Sequence, residues 1–441
     1  MGMKCIRCGT DNDLRDRTNN SGRCKNCNHP FAFEPTTVKD TTLKFTDPFF
    51  AKAIEDISAN NTLSFTPKQL SYFLDRRLKK RISKSESGWL FLYLFFNVWA
   101  TLFFGGFLSF VLRGSSFIVA SIATNLIFIF IFFNYSRSKK VSDRTRKANA
   151  RNLQIVGGII LAVGSYFSLI VLQSFPVFAI YVILGMTSIF LGTRQQIGQS
   201  TIVEEFLFEQ NQFQDWINRW IAINGTMSKM LPTPREISNS VTINSEVSAY
   251  SFDRLVVTDS TAIAQLLIAN NFHFENNCAI LSITGYPQNI FSTVMEMLRR
   301  NPDLKVYAIH DASPRGVSLV HNLRNSPQWF QNSNIEIFDL GLLPRQILAS
   351  RNMYVRNSEE SARTARQLPQ AVRQSLSQIE LNWLDSGNFV ELESFTPQRI
   401  IRALNLGISQ SQNPQNDSLI LVEDTGVYDG GGFIFAADSF G

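Results

Sequence analysis

The sequence predicts a multi-domain chain in which a four-helix transmembrane block separates a cysteine-rich N-terminal segment from an α/β domain with flanking helices. Three observations predict it. Apolar residues concentrate in the second quarter of the 441 residues, where long runs carry no charge. Four of the five cysteines fall in two Cys-x-x-Cys pairs near the N-terminus. After residue 250 short apolar runs alternate with helical patterns, the βαβα order of a parallel sheet.

Cys5-Ile6-Arg7-Cys8-Gly9 and Cys24-Lys25-Asn26-Cys27 are separated by 15 residues. Each pair places two thiolates on one turn, and two such turns together give tetrahedral sulfur ligation. Residues 1–35 therefore resemble a zinc ribbon, with Cys5, Cys8, Cys24 and Cys27 as ligands of a structural zinc. Four cysteines complete the site, so His29 is expected to stand outside it. With few apolar residues, the segment is expected to need the metal to fold. A redox pair is the competing reading, and the doubling argues against it. Zinc ribbons bind protein or nucleic acid, and both partners stay open. The start lacks a signal-peptide apolar region, and Ile6 stands where myristoylation needs Ser or Thr, so the N-terminus is expected in the cytoplasm.

Residues 45–86 read as helical. Asp47 is a candidate N-cap with Pro48 at the first helical position, and Thr66-Pro67 opens a second helix.

Trp89 to Leu112 gives 24 residues without a charge, Ser115 to Tyr135 gives 21, and 42 lie between Arg151 and Arg194. A helix needs roughly 20 apolar residues to cross a bilayer core. The spans read as about 89–112, 115–135, 153–173 and 175–192, the last two joined by a turn near Gln173, Ser174 and Pro176. Basic residues crowd the approach to the first span (Arg76, Arg77, Lys79, Lys80, Arg81, Lys84) and the middle loop, so the positive-inside bias places both termini in the cytoplasm. A buried helix pair or a re-entrant hairpin at 153–192 is the competing arrangement. No Asp, Glu, Lys, Arg or His lies within a span, which argues against a transporter or channel and for an anchor in the lipid bilayer. The net charge of +6 is explained largely by these flanks and does not by itself indicate nucleic acid.

Residues 201–231 carry Phe206, Phe213, Trp216, Ile217, Trp220 and Ile221 at helical spacing. The early acids Glu204, Glu205, Glu209 and Asp215 disfavour an anionic lipid surface, so this amphipathic helix is expected to pack on the domain that follows.

Within 250–350 the strands read as Leu255–Val257, Ala279–Ile283, Lys305–Ile309 and Ile335–Phe338. Functional groups in such sheets sit beyond the strands' carboxyl ends, here Asp259, Thr284-Gly285, His310-Asp311 and Asp339. The pieces Val256-Val257-Thr258-Asp259, Ile283-Thr284-Gly285-Tyr286-Pro287, Ile309-His310-Asp311-Ala312-Ser313-Pro314-Arg315-Gly316 and Leu340-Gly341-Leu342-Leu343-Pro344 resemble a Toprim (Rossmann-like) domain, nearest to the topoisomerase VI A-subunit group. The resemblance implies acids that hold magnesium for phosphoryl chemistry, and makes Asp259 and Asp311 the candidate catalytic and magnesium residues. It departs from the family in two places. Asp259 stands where the family has Glu, and Ser313 replaces the second acid of Asp-x-Asp. The family's breakage-rejoining enzymes also use a tyrosine from a separate domain, for which Tyr72 is the nearest option here. Asp259 and Asp311 could instead be caps of the helices that follow. His310 and His273 are expected to be hydrogen-bonded structural residues, and Cys278 a small buried group.

Residues 358–408 read as helical, with Arg363, Arg366 and Arg373 on a solvated basic face, and 409–441 as a flexible tail. The function expected is a membrane-anchored binding, scaffolding or sensing protein with a catalytically degenerate Toprim-like domain. The alternative is a membrane-tethered, magnesium-dependent enzyme acting on nucleic-acid or nucleotide phosphates.

Overall fold

The computed structural model describes residues 2–33, 45–85, 88–112, 116–137, 143–197, 203–233, 253–288, 290–301, 303–350 and 353–410. The chain divides into two units, residues 80–202 and everything on either side of them.

The N-terminal segment pairs Met3–Lys4 antiparallel with Asp11–Asn12. A short helix, Leu14–Asn19, follows. It opens on a reciprocal cap in which the Asp16 amide donates to Asp13 at 2.8 Å and the Asp13 amide to Asp16 at 3.0 Å. Helix α1 (Asp47–Ile57) begins one residue earlier than the sequence suggests, with Thr46 at the N-cap. The Asp47 carboxylate is buried and turns back to accept the amides of Ala32 and Phe33 at 2.9 and 2.7 Å, which ties the end of the cysteine segment to α1. Helix α2 (Pro67–Ser85) starts at the expected proline.

The second unit holds α3 (Gly88–Leu112), α4 (Ser116–Arg137), α5 (Asp143–Tyr166, continued by a wide turn over Phe167–Val171) and α6 (Phe175–Ile197). Three helices are long and apolar enough to cross a membrane: Ser116–Arg137, Ala148–Val171 and Phe175–Gln195. The described apolar part of α3, Phe91–Phe107, is shorter. Phe91, Phe107 and Phe130 are largely exposed. Polar side chains meet one another inside the bundle. Tyr93 Oη and Asn97 Nδ2 both donate to Asn125 Oδ1, at 2.7 and 2.8 Å, and Tyr181 Oη lies 3.0 Å from Ser121 Oγ. The backbones of α5 and α6 approach closely at glycines. A Cβ on Gly157 would lie 2.7 Å from the Gly185 carbonyl.

After the membrane helices, α7 (Gln210–Asn224) buries Phe213, Trp216, Ile217 and Trp220. These side chains share a core with Phe50 and Ile57 of α1, Phe65, and Leu70, Leu74 and Leu78 of α2. The expectation that α7 packs on the following α/β domain is therefore corrected. Its aromatic stripe fills the gap left by two N-terminal helices whose own apolar faces are too small to close a core. The helix is also shorter than 201–231, because Val203 pairs with Val355 and Phe65 exchanges backbone bonds with Lys229 and Leu231.

The α/β core has strands β1 (Arg254–Thr258), β2 (Cys278–Ser282), β3 (Lys305–Ile309) and β4 (Glu336–Asp339), all parallel, in the order β2-β1-β3-β4. The first three strands are almost wholly buried, as near-continuous apolar runs with covered faces must be. Val256, Ile280 and Tyr307 face one layer with α8 (Thr261–Ala269). Leu255, Val257, Leu281 and Val306 face the other with α9 (Phe291–Arg299). Beyond the sheet, Arg356–Asn357 pairs with Asn388–Phe389, and α10 (Pro397–Gln410) places Ile400, Leu404 and Ile408 in the first layer. Arg373 is not simply solvated: both terminal nitrogens bind the Asp385 carboxylate, at 3.1 and 3.0 Å, while Arg363 and Arg366 are exposed. The expected tail reaches α10 only with Ser409 and Gln410, and residues 411–441 lie outside the described residues.

Candidate metal centre and strand-end site

The two cysteine knuckles repeat one backbone pattern. Cys5 N–H donates to Thr10 O, and Cys24 N–H to His29 O, both at 2.9 Å. Gly9 and Asn28 close the turns onto the carbonyls of Cys5 and Cys24 with φ of 72° and 57°, a left-handed conformation that glycine and asparagine adopt at least cost. The four Sγ atoms consequently lie within 4.8 Å of one another, with Cys5–Cys27 and Cys8–Cys24 both at 3.6 Å. Zinc bonded tetrahedrally to sulfur at about 2.3 Å would want sulfurs about 3.8 Å apart. The cluster is compatible with a zinc site in donor type, number and spacing. Burial pushes the Cys5 thiol up to about 12, so a cation is what would hold it as thiolate. His29 stands apart, its Nε2 bonded to Asn224 Oδ1 at 3.0 Å.

At the carboxyl ends of β1 and β3, Asp259 and Asp311 meet. Asp259 Oδ2 accepts the Asp311 amide at 3.0 Å, and Asp311 Oδ1 accepts the Leu392 amide at 2.7 Å. Neither acts as a helix cap. Ser260 takes the N-cap position before α8, and Ser313 caps the next turn by accepting Gly316 N–H at 3.1 Å. Buried His310 bridges its neighbour's carbonyl (Nδ1 to Asp311 O, 2.8 Å) and Asp339 (Nε2 to Oδ1, 3.0 Å). Burial raises the carboxyl of Asp311 well above the usual range, and the charge of Asp259 adds to it. Burial also raises Asp259, against the opposing pull of His310.

Sequence reasoning missed the next shell. Glu391 and Glu393 follow the last short strand and face α2. Lys68 Nζ sits 2.8 Å from Glu391 and 3.3 Å from Glu393, and Tyr72 Oη donates to Glu391 at 2.5 Å. Burial disfavours the Glu391 charge, but Lys68 and Tyr72 together hold its carboxyl below the ordinary value. Tyr72 itself is 1% exposed, and its hydroxyl is pushed far up by burial and by Glu391. More than 300 residues separate these partners in sequence, so no local pattern announces them.

Magnesium prefers near-octahedral oxygen ligation. Here one oxygen of each aspartate is taken by a backbone amide, Ser313 caps the turn that follows Asp311, and Glu391 is engaged by Lys68 and Tyr72. Among the described residues, the cysteine quartet is the group of three or more acidic, histidine or cysteine side chains close enough to share one ion. The strand ends offer two aspartates, each with one oxygen on a backbone amide. Beside Asp259 there is a cleft of about 420 Å³, walled by Ile283, Thr284, Arg315 and Leu368 among others.

No family model matches the chain, and no curated protein matches it. The likeness to Toprim domains rests on the motifs quoted above.

Proposed function

We propose that this chain is a membrane-anchored protein that presents a zinc ribbon and an α/β unit to the cytoplasm and works by binding a protein or nucleic-acid partner, with no phosphoryl chemistry of its own. The observation that carries this reading is the fate of the carboxylates. Asp259 and Asp311 each give one carboxylate oxygen to a backbone amide, and Glu391 and Glu393 share the single ammonium of Lys68.

Four crossings with both termini cytoplasmic are supported by parity. Segments before and after the membrane helices share one core and one hydrogen-bond network: Lys79 pairs with Glu204 at 2.8 Å, and Asp75 accepts the Leu207 amide at 2.8 Å. Two stretches that fold together must lie on one side, which requires an even number of crossings. With three helices long enough, α3 supplies the fourth. The basic cluster at the end of α2 favours the cytoplasmic side.

A DNA-nicking and phosphodiesterase assay with magnesium on the full chain, beside Asp311→Ala, tests the non-catalytic reading. Equal background in both is expected. Cleavage by the parent that disappears in the variant would establish the tethered magnesium-dependent enzyme instead. Crosslinking in native membranes then identifies the partner.

A further inference from the structure

Asp259 has one oxygen that no other residue bonds. Oδ2 accepts the Asp311 amide, whereas Oδ1 is buried and receives no hydrogen bond from another residue. Buried carboxylate oxygens are almost always hydrogen-bonded, and one left bare calls for an explanation. Asp259 also lines the 420 Å³ cleft, a volume suited to a small metabolite.

The position adds a second argument. In the order β2-β1-β3-β4, the chain leaves β1 toward β2 and then crosses back over β1 to β3. The strand order therefore reverses beside the end of β1, where open parallel sheets leave a crevice for ligands. The cleft lies at that crevice.

Its chemistry is bipolar. Asp259 offers an acceptor. Arg315 offers a guanidinium, and its distance of 3.6 Å from the equally exposed Glu360 makes that pair weak and easily exchanged. Ile283, Leu319 and Leu368 supply apolar surface between, and Thr284 a hydroxyl already linked to Thr261 and Ser282.

We propose that the cleft binds a small molecule that carries a hydroxyl or ammonium donor for the Asp259 carboxylate, an acidic group for Arg315 and an apolar or planar middle. This rests on the binding reading above and assigns it a small-molecule site. Nucleoside monophosphates have this chemistry, and apolar α-amino acids carry the same three groups with donor and acid on one carbon and the apolar group beside them.

The test uses the full chain in detergent, titrated by calorimetry with AMP and GMP in one arm and with leucine and phenylalanine in the other. Adenosine and inorganic phosphate serve as half-ligands. Saturable binding of one arm is expected, weaker for the half-ligands. Asp259→Asn should weaken it about 10- to 100-fold. The amide oxygen still serves the Asp311 amide, but the amide nitrogen turns a donor toward the ligand's donor. Arg315→Gln, at an exposed position that cannot unfold the domain, should weaken it severalfold. Absence of binding in both arms, or unchanged affinity in Arg315→Gln together with a folded Asp259→Asn, overturns the proposal. The nicking assay is independent: a chain with neither cleavage nor ligand loses this site alone, whereas magnesium-dependent cleavage removes the non-catalytic reading.

Discussion

Replacing Asp75 by alanine should loosen the joint between the segments that flank the membrane helices. Asp75 is wholly buried on α2. Its Oδ1 accepts the Leu207 amide at 2.8 Å, and its Oδ2 accepts the Tyr354 hydroxyl at 2.8 Å and meets Lys79 Nζ at 2.7 Å. One carboxylate thus holds a residue from before the membrane block and two from after it. Removing one member of a buried charged pair costs about 3–5 kcal/mol. Lys79 keeps Glu204 at 2.8 Å and can still donate to Tyr354 at 3.1 Å, so the loss belongs at the lower end, about 3 kcal/mol. With a urea dependence of about 2 kcal/mol per molar, the midpoint should fall by roughly 1.5 M. Pulse proteolysis of the full chain in detergent, read on fragments from residues 203–410, measures that midpoint. Asp75→Asn, which keeps the shape and one of the two acceptors, should recover part of the loss. A fall worth less than about 1 kcal/mol in Asp75→Ala would refute the claim that this carboxylate joins the two segments.

Other expectations follow from the same geometry. The purified chain should carry one zinc, and chelation or Cys27→Ser should abolish amide protection across residues 2–33 while leaving the α/β core protected; a protected ribbon without metal would contradict the assignment. His310 is disfavoured as a cation by burial, yet Asp339 and Asp259 raise its pKa above 6.5. Burial opposes the Asp339 charge, but His310 lowers its pKa below 3.8. The stability from the raised histidine is complete below about pH 6.5 and is lost as pH rises through its folded value. The aspartate's part is complete above about pH 3.8 and is lost as pH falls through its folded value. The stability gap between the parent and His310→Gln should therefore be widest near about pH 5 and shrink above neutrality, and a gap that grows with pH would show the wrong sign. In the membrane unit, a side chain on Gly157 would run into the backbone of Gly185 and Ile189, whereas Gly158 faces open space. Gly157→Val should cost about 1–3 kcal/mol in detergent unfolding and Gly158→Val little, and equal effects would argue against the α5–α6 contact.

The parts that proved legible are those whose physics is local. Two Cys-x-x-Cys turns, each needing only a left-handed residue after the knuckle, announce themselves within a few positions. Continuous apolar runs such as residues 255–257 and 306–309 mark buried parallel strands, and their carboxyl ends point to Asp259 and Asp311 without any knowledge of packing. The rest depends on contacts across the membrane block. Lys68, Tyr72 and Asp75 look like the polar face of an ordinary surface helix, and only folding shows that Glu391 and Tyr354 cover them. The aromatic stripe of α7 has the right period but gives no sign of its partner, which lies well over 100 residues earlier in α1 and α2. In sequence Asp47 reads as a cap, because aspartate before proline commonly is one. A tertiary demand from the Ala32 and Phe33 amides outweighed that local preference.

Sidedness is the most direct test of the account. Sealed membrane vesicles bearing the full chain, with one epitope tag at the N-terminus and another inserted after Gln410, can be treated with protease from outside before and after permeabilisation. The account predicts that both tags are cleaved together or protected together, and that both lie on the cytoplasmic face. Tags with opposite sensitivity would mean an odd number of crossings, and would contradict the joining of the two flanking segments into one folded unit.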